Sequence, residues 1–136
     1  MDEPTSTWKE IEALSKKRLK AFRKYGFQCG VDQYSLPEPD DILREANQSC
    51  DPNTWWAGSY TLVALRDIQA SDEVTYDYST CDIDIEFEMK CNCGASCCRK
   101  IITNRDYLDS EWQARFGLNL PPHVLSAIED KKREKE

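Results

Sequence analysis

Four of the chain's seven cysteines fall within eight residues, Cys91-Asn-Cys93-Gly-Ala-Ser-Cys97-Cys98. That spacing limits what can be built there. Cys91 and Cys93 are one residue apart, too close for a relaxed disulfide with each other. Two thiolates at that separation can instead chelate one ion. Gly94 permits the sharp turn that brings in Cys98, and Cys97 is its competitor as third ligand. Zn²⁺ in a closed structural site takes four ligands, each sulfur at about 2.3 Å. The cluster alone supplies three. The alternative is a nest of buried thiols holding no metal. A disulfide framework is the weaker reading, because the cysteine count is odd and the start, MDEPTSTWKE, is too polar for a secretory signal. Thiol chemistry of this kind belongs in a reducing compartment, nucleus or cytoplasm. The run Lys131-Lys132-Arg133 is too short to separate the two.

At 136 residues the chain is one domain with a modest core. No apolar run approaches the ~20 residues needed to cross a bilayer, which excludes a helical membrane span. The 18 basic and 25 acidic residues leave a net charge of −7. Phosphate binding needs positive charge, so direct nucleic-acid binding is not expected. A basic peptide or protein suits the surface better.

Thr7-Trp-Lys-Glu10 reads as a capping box. Trp8, Ile11, Leu14, Leu19 and Phe22 follow at mostly helical spacing, so one helix is expected, ended by Tyr25-Gly26. Its basic run (Lys16, Lys17, Arg18, Lys20, Arg23 and Lys24) reads as a solvated face. Residues 27–36 carry short strand-like runs, 59–65 and 73–78 read as strands, and Pro37-Glu-Pro39 is a connector. Residues 82–89 alternate strictly, with Asp82, Asp84, Glu86 and Glu88 opposite Ile83, Ile85, Phe87 and Met89. That pattern predicts a strand with one wet face, whose row of acids can attract a basic peptide. Residues 107–116 predict a helix, 124–128 begin another, and 129–136 form a charged, mobile tail. Residues 1–7 read as a frayed lead-in. Cys29 and Cys81 read as small hydrophobes, and His123 as a cap or surface residue.

Three motifs carry chemistry. They are Asn47-Gln48-Ser49-Cys50-Asp51-Pro52-Asn53, then Arg66-Asp-Ile68 with Asp72-Glu73-Val74-Thr75-Tyr76-Asp77-Tyr78, then Cys91-x-Cys93-Gly94-x-x-x-Cys98-Arg99. Their order and spacing over residues 37–100 resemble the C-terminal half of a SET domain followed by its post-SET zinc knuckle. The resemblance implies an α+β, β-rich fold of the SET (β-clip) kind. It would have small curved sheets, an N-terminal helix, a four-cysteine zinc knuckle and a C-terminal helical extension. Residues 8–36 would be the insert of the domain, 37–89 its C-terminal half, 90–100 the knuckle, and 101–136 the helical extension and charged tail.

SET proteins are S-adenosylmethionine-dependent protein-lysine methyltransferases, and histone tails are their common target. By resemblance, Cys50 completes the zinc site with Cys91, Cys93 and Cys98, the spacing favouring Cys98 over Cys97. Tyr78 is the catalytic tyrosine, and Tyr76 helps set how many methyl groups are added. Asn47, the backbone of Gln48, and Tyr78 meet the cofactor. Gln48 stands where the family usually has histidine, and Asn53 and Asp51 shape the loop. The chemistry needs such a site. Lysine, with a pKa near ~10.4, must lose its proton to accept a methyl group, which costs roughly 4.6 kcal/mol at pH 7. A narrow aromatic channel lowers that pKa by desolvation.

A full SET domain also carries a G-x-G turn around the methionine end of the cofactor. No two of this chain's five glycines have that spacing. The resemblance therefore implies a domain shortened at its N-terminus, with three explanations for the missing strands: an incomplete gene model, a degenerate remnant, or a partner that supplies them. The competing reading is a non-catalytic, zinc-stabilised remnant that binds a basic peptide or protein.

Overall fold

A computed structural model describes residues 5–134. The expected capping box is present: Thr7 Oγ1 accepts from the Glu10 amide at 3.2 Å, and Glu10 Oε1 accepts from the Thr7 amide at 2.9 Å. It opens α1 (Trp8–Glu12), but the expected single helix is two. The chain turns at Ala13, and Ser15 caps a new helix, α2 (Lys16–Tyr25), by accepting from the Arg18 amide. The break, residues 13–15, falls where the apolar spacing stretches to five, from Leu14 to Leu19, and lets both pack against the cluster of Ile11, Phe22 and Tyr34. Residues 1–4 of the expected lead-in lie outside the described residues. Ser6 is paired with Tyr34 in an isolated bridge.

Eight short strands pair two by two among the described residues. β1 (Phe27–Gly30) and β2 (Gln33–Ser35) form a hairpin, and β4 (Thr54–Ala57) and β5 (Thr61–Ala64) form another. β3 (Asn47–Gln48) and β6 (Thr75–Tyr76) run parallel, with Asn47 opposite Thr75 and Gln48 opposite Tyr76. This short ladder sets the first motif beside the second. β7 (Glu88–Lys90) and β8 (Ile101–Thr103) are antiparallel and frame the cysteine cluster.

The long alternating strand expected over 82–89 is not formed; only its end becomes β7. The Gln28 side chain replaces a ladder partner. Its Oε1 accepts from the amides of Ile83 and Asp84 at 2.9 and 3.0 Å, and its Nε2 donates to Asp84 Oδ2 at 2.6 Å. The alternation survives in part: Ile83 is buried while Asp84, Glu86 and Glu88 are exposed. Asp82 and Met89 break it, the first half-buried and the second exposed. Likewise the strand expected over 73–78 stops at Tyr76. Tyr78–Thr80 winds into a 3₁₀ turn capped by Asp77, whose carboxylate accepts from the Ser79 amide at 3.0 Å.

The helix expected over 107–116 is a 3₁₀ turn, Asp106–Leu108, followed by α3 (Ser110–Phe116). α4 (Pro122–Glu134) carries most of the expected mobile tail as ordered helix, supported by i,i+3 ion pairs such as Lys131–Glu134. Residues 135–136 lie outside the described residues. His123 is buried rather than a surface cap. Its Nε2 donates to the Cys81 carbonyl at 2.8 Å, which fixes the Nε2–H tautomer when the ring is neutral and leaves Nδ1 without a partner.

Two clusters set the site. Phe27, Cys29, Ala46, Trp56, Tyr76 and Cys81 pack as one core, so Cys29 and Cys81 serve as small hydrophobes. Trp56 is buried and its indole donates to Thr80 Oγ1 at 2.7 Å, satisfying its polar end. Beside it, Cys50, Cys91 and Ile102 form a smaller cluster on which Tyr78 and Phe87 pack.

Candidate functional site

The four sulfurs expected to hold zinc are gathered at one point. Those of Cys50, Cys91, Cys93 and Cys98 all lie within 4.8 Å of one another, and Cys50 and Cys91 are 3.6 Å apart. Sulfurs about 2.3 Å from a common tetrahedral centre stand about 3.8 Å apart, so the cluster fits a tetrahedral metal. Cys97 is exposed, lies outside this group and contacts the Cys50 carbonyl.

The loop geometry follows from the sequence. Gly94 has φ +75°, a conformation that favours glycine. The Cys91 amide donates to Lys100 O at 2.8 Å and the Cys98 amide to Ala95 O at 3.1 Å. Burial pushes the Cys50 thiol up to about 12 against the pull of Arg99. Burial also raises Cys93, but hydrogen bonds from its neighbours, the Cys50 backbone first, outweigh it and bring that thiol to about 6. A dication at the centre would deprotonate the whole set.

Tyr78 sits beside this centre. Its hydroxyl donates to Ala46 O at 3.0 Å, its amide donates to Gln48 Oε1 at 2.7 Å, and its ring packs on Tyr76 at 4.8 Å between centroids. Burial raises the pKa of both phenols, helped by nearby Cys81 and Asp82, so both are neutral at pH 7. The two tyrosines, Ala46 and Asn47 line one side of a groove of about 690 Å³, a size ordinary for a small-molecule site. Glu86, Glu88 and Asp82 line another part of it, and Arg23, Lys24 and Arg44 a third. Asn47 is exposed, and its side-chain amide donates to Glu73 Oε1. The Gln48 side chain turns toward the sulfurs, with Nε2 3.7 Å from Cys91 Sγ and 3.8 Å from Cys50 Sγ.

Asn53 shapes the loop. It donates to Glu73 O at 2.7 Å and accepts from the Thr75 amide at 2.9 Å. Asp51 bonds Arg66 at the surface.

Sequence reasoning missed a buried ion-pair node. Asp77, fully enclosed, accepts from both terminal nitrogens of Arg99, at 2.7 and 3.0 Å, and from the Trp112 indole at 3.2 Å. Arg99 also bonds Asp106, and its amide points at Cys50 Sγ at 3.4 Å. The node clamps the cysteine loop and α3 onto the segment between Tyr76 and Tyr78. One signal was available: a charged residue alternating with two tyrosines must point away from their face.

The family model of the SET domain matches residues 3–79, more than half of the sequence, and the chain belongs to the SET domain family. It is also similar to a human protein named Histone-lysine N-methyltransferase 2B, 29% identical over an alignment of 102 positions that covers 65% of this chain. The matched stretch spans only 4% of that relative's length.

Proposed function

We propose that the chain is a SET-type, S-adenosylmethionine-dependent protein-lysine N-methyltransferase with a structural zinc held by Cys50, Cys91, Cys93 and Cys98. The observation that carries this reading is the placement of Tyr78, a neutral phenol held at both its hydroxyl and its amide on the groove wall. S-adenosylmethionine, when bound, supplies an electrophilic methyl group, and Asn47, the Gln48 backbone and Tyr78 would hold it. The chain's residues do the rest. The rings of Tyr76 and Tyr78 exclude water and favour the neutral form of a lysine amine. Because the Tyr78 proton is committed to Ala46 O, its oxygen lone pairs are left to orient that amine. Tyr76, buried against Trp56 at 5.7 Å, would limit room for added methyl groups.

The substrate is a basic protein or peptide, attracted by the exposed Glu86 and Glu88, and a histone tail is the first to try given the relative's name. The reading has the protein act inside the cell, in the nucleus or cytoplasm, with neither nucleic acid nor membrane as a direct partner. A G-x-G turn supplied by another polypeptide would complete the cofactor site.

One observation favours a second reading, a zinc-stabilised remnant that binds a basic peptide without catalysis: no pair of the chain's glycines forms a G-x-G turn. Titration calorimetry with S-adenosylmethionine separates the two. The enzyme reading expects saturable heat, methyl transfer to a histone-tail peptide, and a roughly 100-fold loss of turnover in Tyr78→Phe. No heat and no transfer would leave the remnant.

A further inference from the structure

We infer that Gln48 is the positioning residue through which the four-cysteine cluster holds the Tyr78 turn. The inference rests on the methyltransferase reading for what Tyr78 does, but its evidence is geometric. A side-chain amide has an accepting end and a donating end. The end facing the Tyr78 backbone N–H at 2.7 Å must be the oxygen. That fixes the flip and turns the NH₂ group onto two sulfurs, Cys91 Sγ at 3.7 Å and Cys50 Sγ at 3.8 Å. One amide has two N–H bonds to give, and two sulfurs stand ready to accept them.

In this arrangement both sulfurs serve as acceptors. A thiolate accepts, and charge-assisted bonds are the strong ones. A protonated thiol offers its own donor and a weaker lone pair. With the sulfurs bound to a metal, all three polar positions of Gln48 are matched and the amide cannot flip without facing N–H to N–H at Tyr78. Without a metal to hold the two sulfurs in place, the donating end is less well matched and the grip on the Tyr78 amide loosens. Gln48 is spliced between Ala46, which takes the Tyr78 hydroxyl, and Cys50, a proposed ligand, so both anchors of Tyr78 belong to one three-residue segment.

The same logic explains the residue type. A neutral imidazole also has one N–H and one bare nitrogen on opposite sides. Gln48 can therefore do what the histidine of the resemblance would do in the same place, and few other side chains can.

Three variants test the idea. Gln48→Leu keeps the volume and removes both ends. Gln48→Glu keeps the acceptor for Tyr78 but sets a carboxylate against thiolates. Gln48→His keeps one donor and one acceptor. Zinc affinity is read by competition with a chromophoric chelator. The Gln48 side-chain ¹⁵N–¹H signals and the Tyr78 amide are read by NMR as ¹¹³Cd is added.

The expected result is a loss of about 10-fold to 100-fold in zinc affinity for Leu and Glu. Gln48→His should stay within about threefold of wild type. The wild-type Gln48 NH₂ and Tyr78 amide signals should move together on metal loading. In turnover, Gln48→Leu should lower kcat with little change in peptide KM. Unchanged zinc affinity in both Leu and Glu variants, or Gln48 NH₂ signals that ignore the metal, would overturn the role. Absence of turnover in the wild type would count against the methyltransferase reading alone, since the zinc and NMR measurements decide the role of Gln48 by themselves.

Discussion

A carboxyl group taken out of water resists losing its proton, and Asp82 shows what this means for the groove. Burial pushes its carboxyl up to about 7 from 3.8, although the Gln28 amide bonds its Oδ1 at 2.9 Å and works in the other direction. The folded state thus holds this proton more tightly than the unfolded chain. The stability it gives is complete below about pH 4 and is lost as pH rises toward 7. Asp82→Asn keeps an oxygen for the Gln28 amide and removes the titration. Urea unfolding should find this variant more stable than wild type at pH 8 by on the order of 1–3 kcal/mol, with the difference gone at pH 4. Stability equal to wild type at both pH values would show that Asp82 is well solvated. The alternating pattern marked Asp82 as part of a wet face. What it could not reveal is that Gln28, 54 residues earlier, reaches over to take the backbone of that segment.

At the scale of elements, the Asp77–Arg99 pair joins the Tyr78 turn to the loop after Cys98. Removing one partner of a buried pair leaves the other charge uncompensated, typically at 3–5 kcal/mol, while replacing both costs far less. Arg99→Met should therefore destabilise by about 3 kcal/mol or more. The double variant Asp77→Asn with Arg99→Met should recover a good part of that, as read in a double-mutant cycle from denaturant midpoints. Strict additivity of the two changes would contradict the pairing. Local signals served well where elements are short-range. The Thr7–Glu10 capping box, the β1–β2 hairpin region and the Gly94 turn were all legible from neighbouring residues. The end of β6 at Tyr76 was not. A turn capped by its own Asp77 side chain competes with extension, and the Arg99 and Trp112 that hold this aspartate lie 22 and 35 residues away.

Over the whole molecule, the fold depends on joining two distant stretches, 47–53 and 91–98, at one point. The three-cysteine spacing was readable as a chelate, and the fourth candidate ligand, Cys50, came from the family resemblance rather than from any local pattern. With no core cluster larger than six buried residues among the described residues, a metal cross-link at this point would do much to keep the groove wall in place. Structural zinc is worth about 10–16 kcal/mol in small zinc-finger peptides. Removing it with a strong chelator should lower the thermal midpoint sharply and flatten the near-ultraviolet circular dichroism of the packed tyrosines. The helices α3 and α4 rest on their own cluster around Trp112, Phe116 and Val124 and should keep more of their far-ultraviolet signal.

The most direct measurement is X-ray absorption at the zinc edge on the purified chain. The account predicts one zinc per chain surrounded by four sulfurs at about 2.3 Å, falling to three sulfurs in Cys50→Ser. A folded protein without zinc, or a sulfur count unchanged by Cys50→Ser, would contradict it.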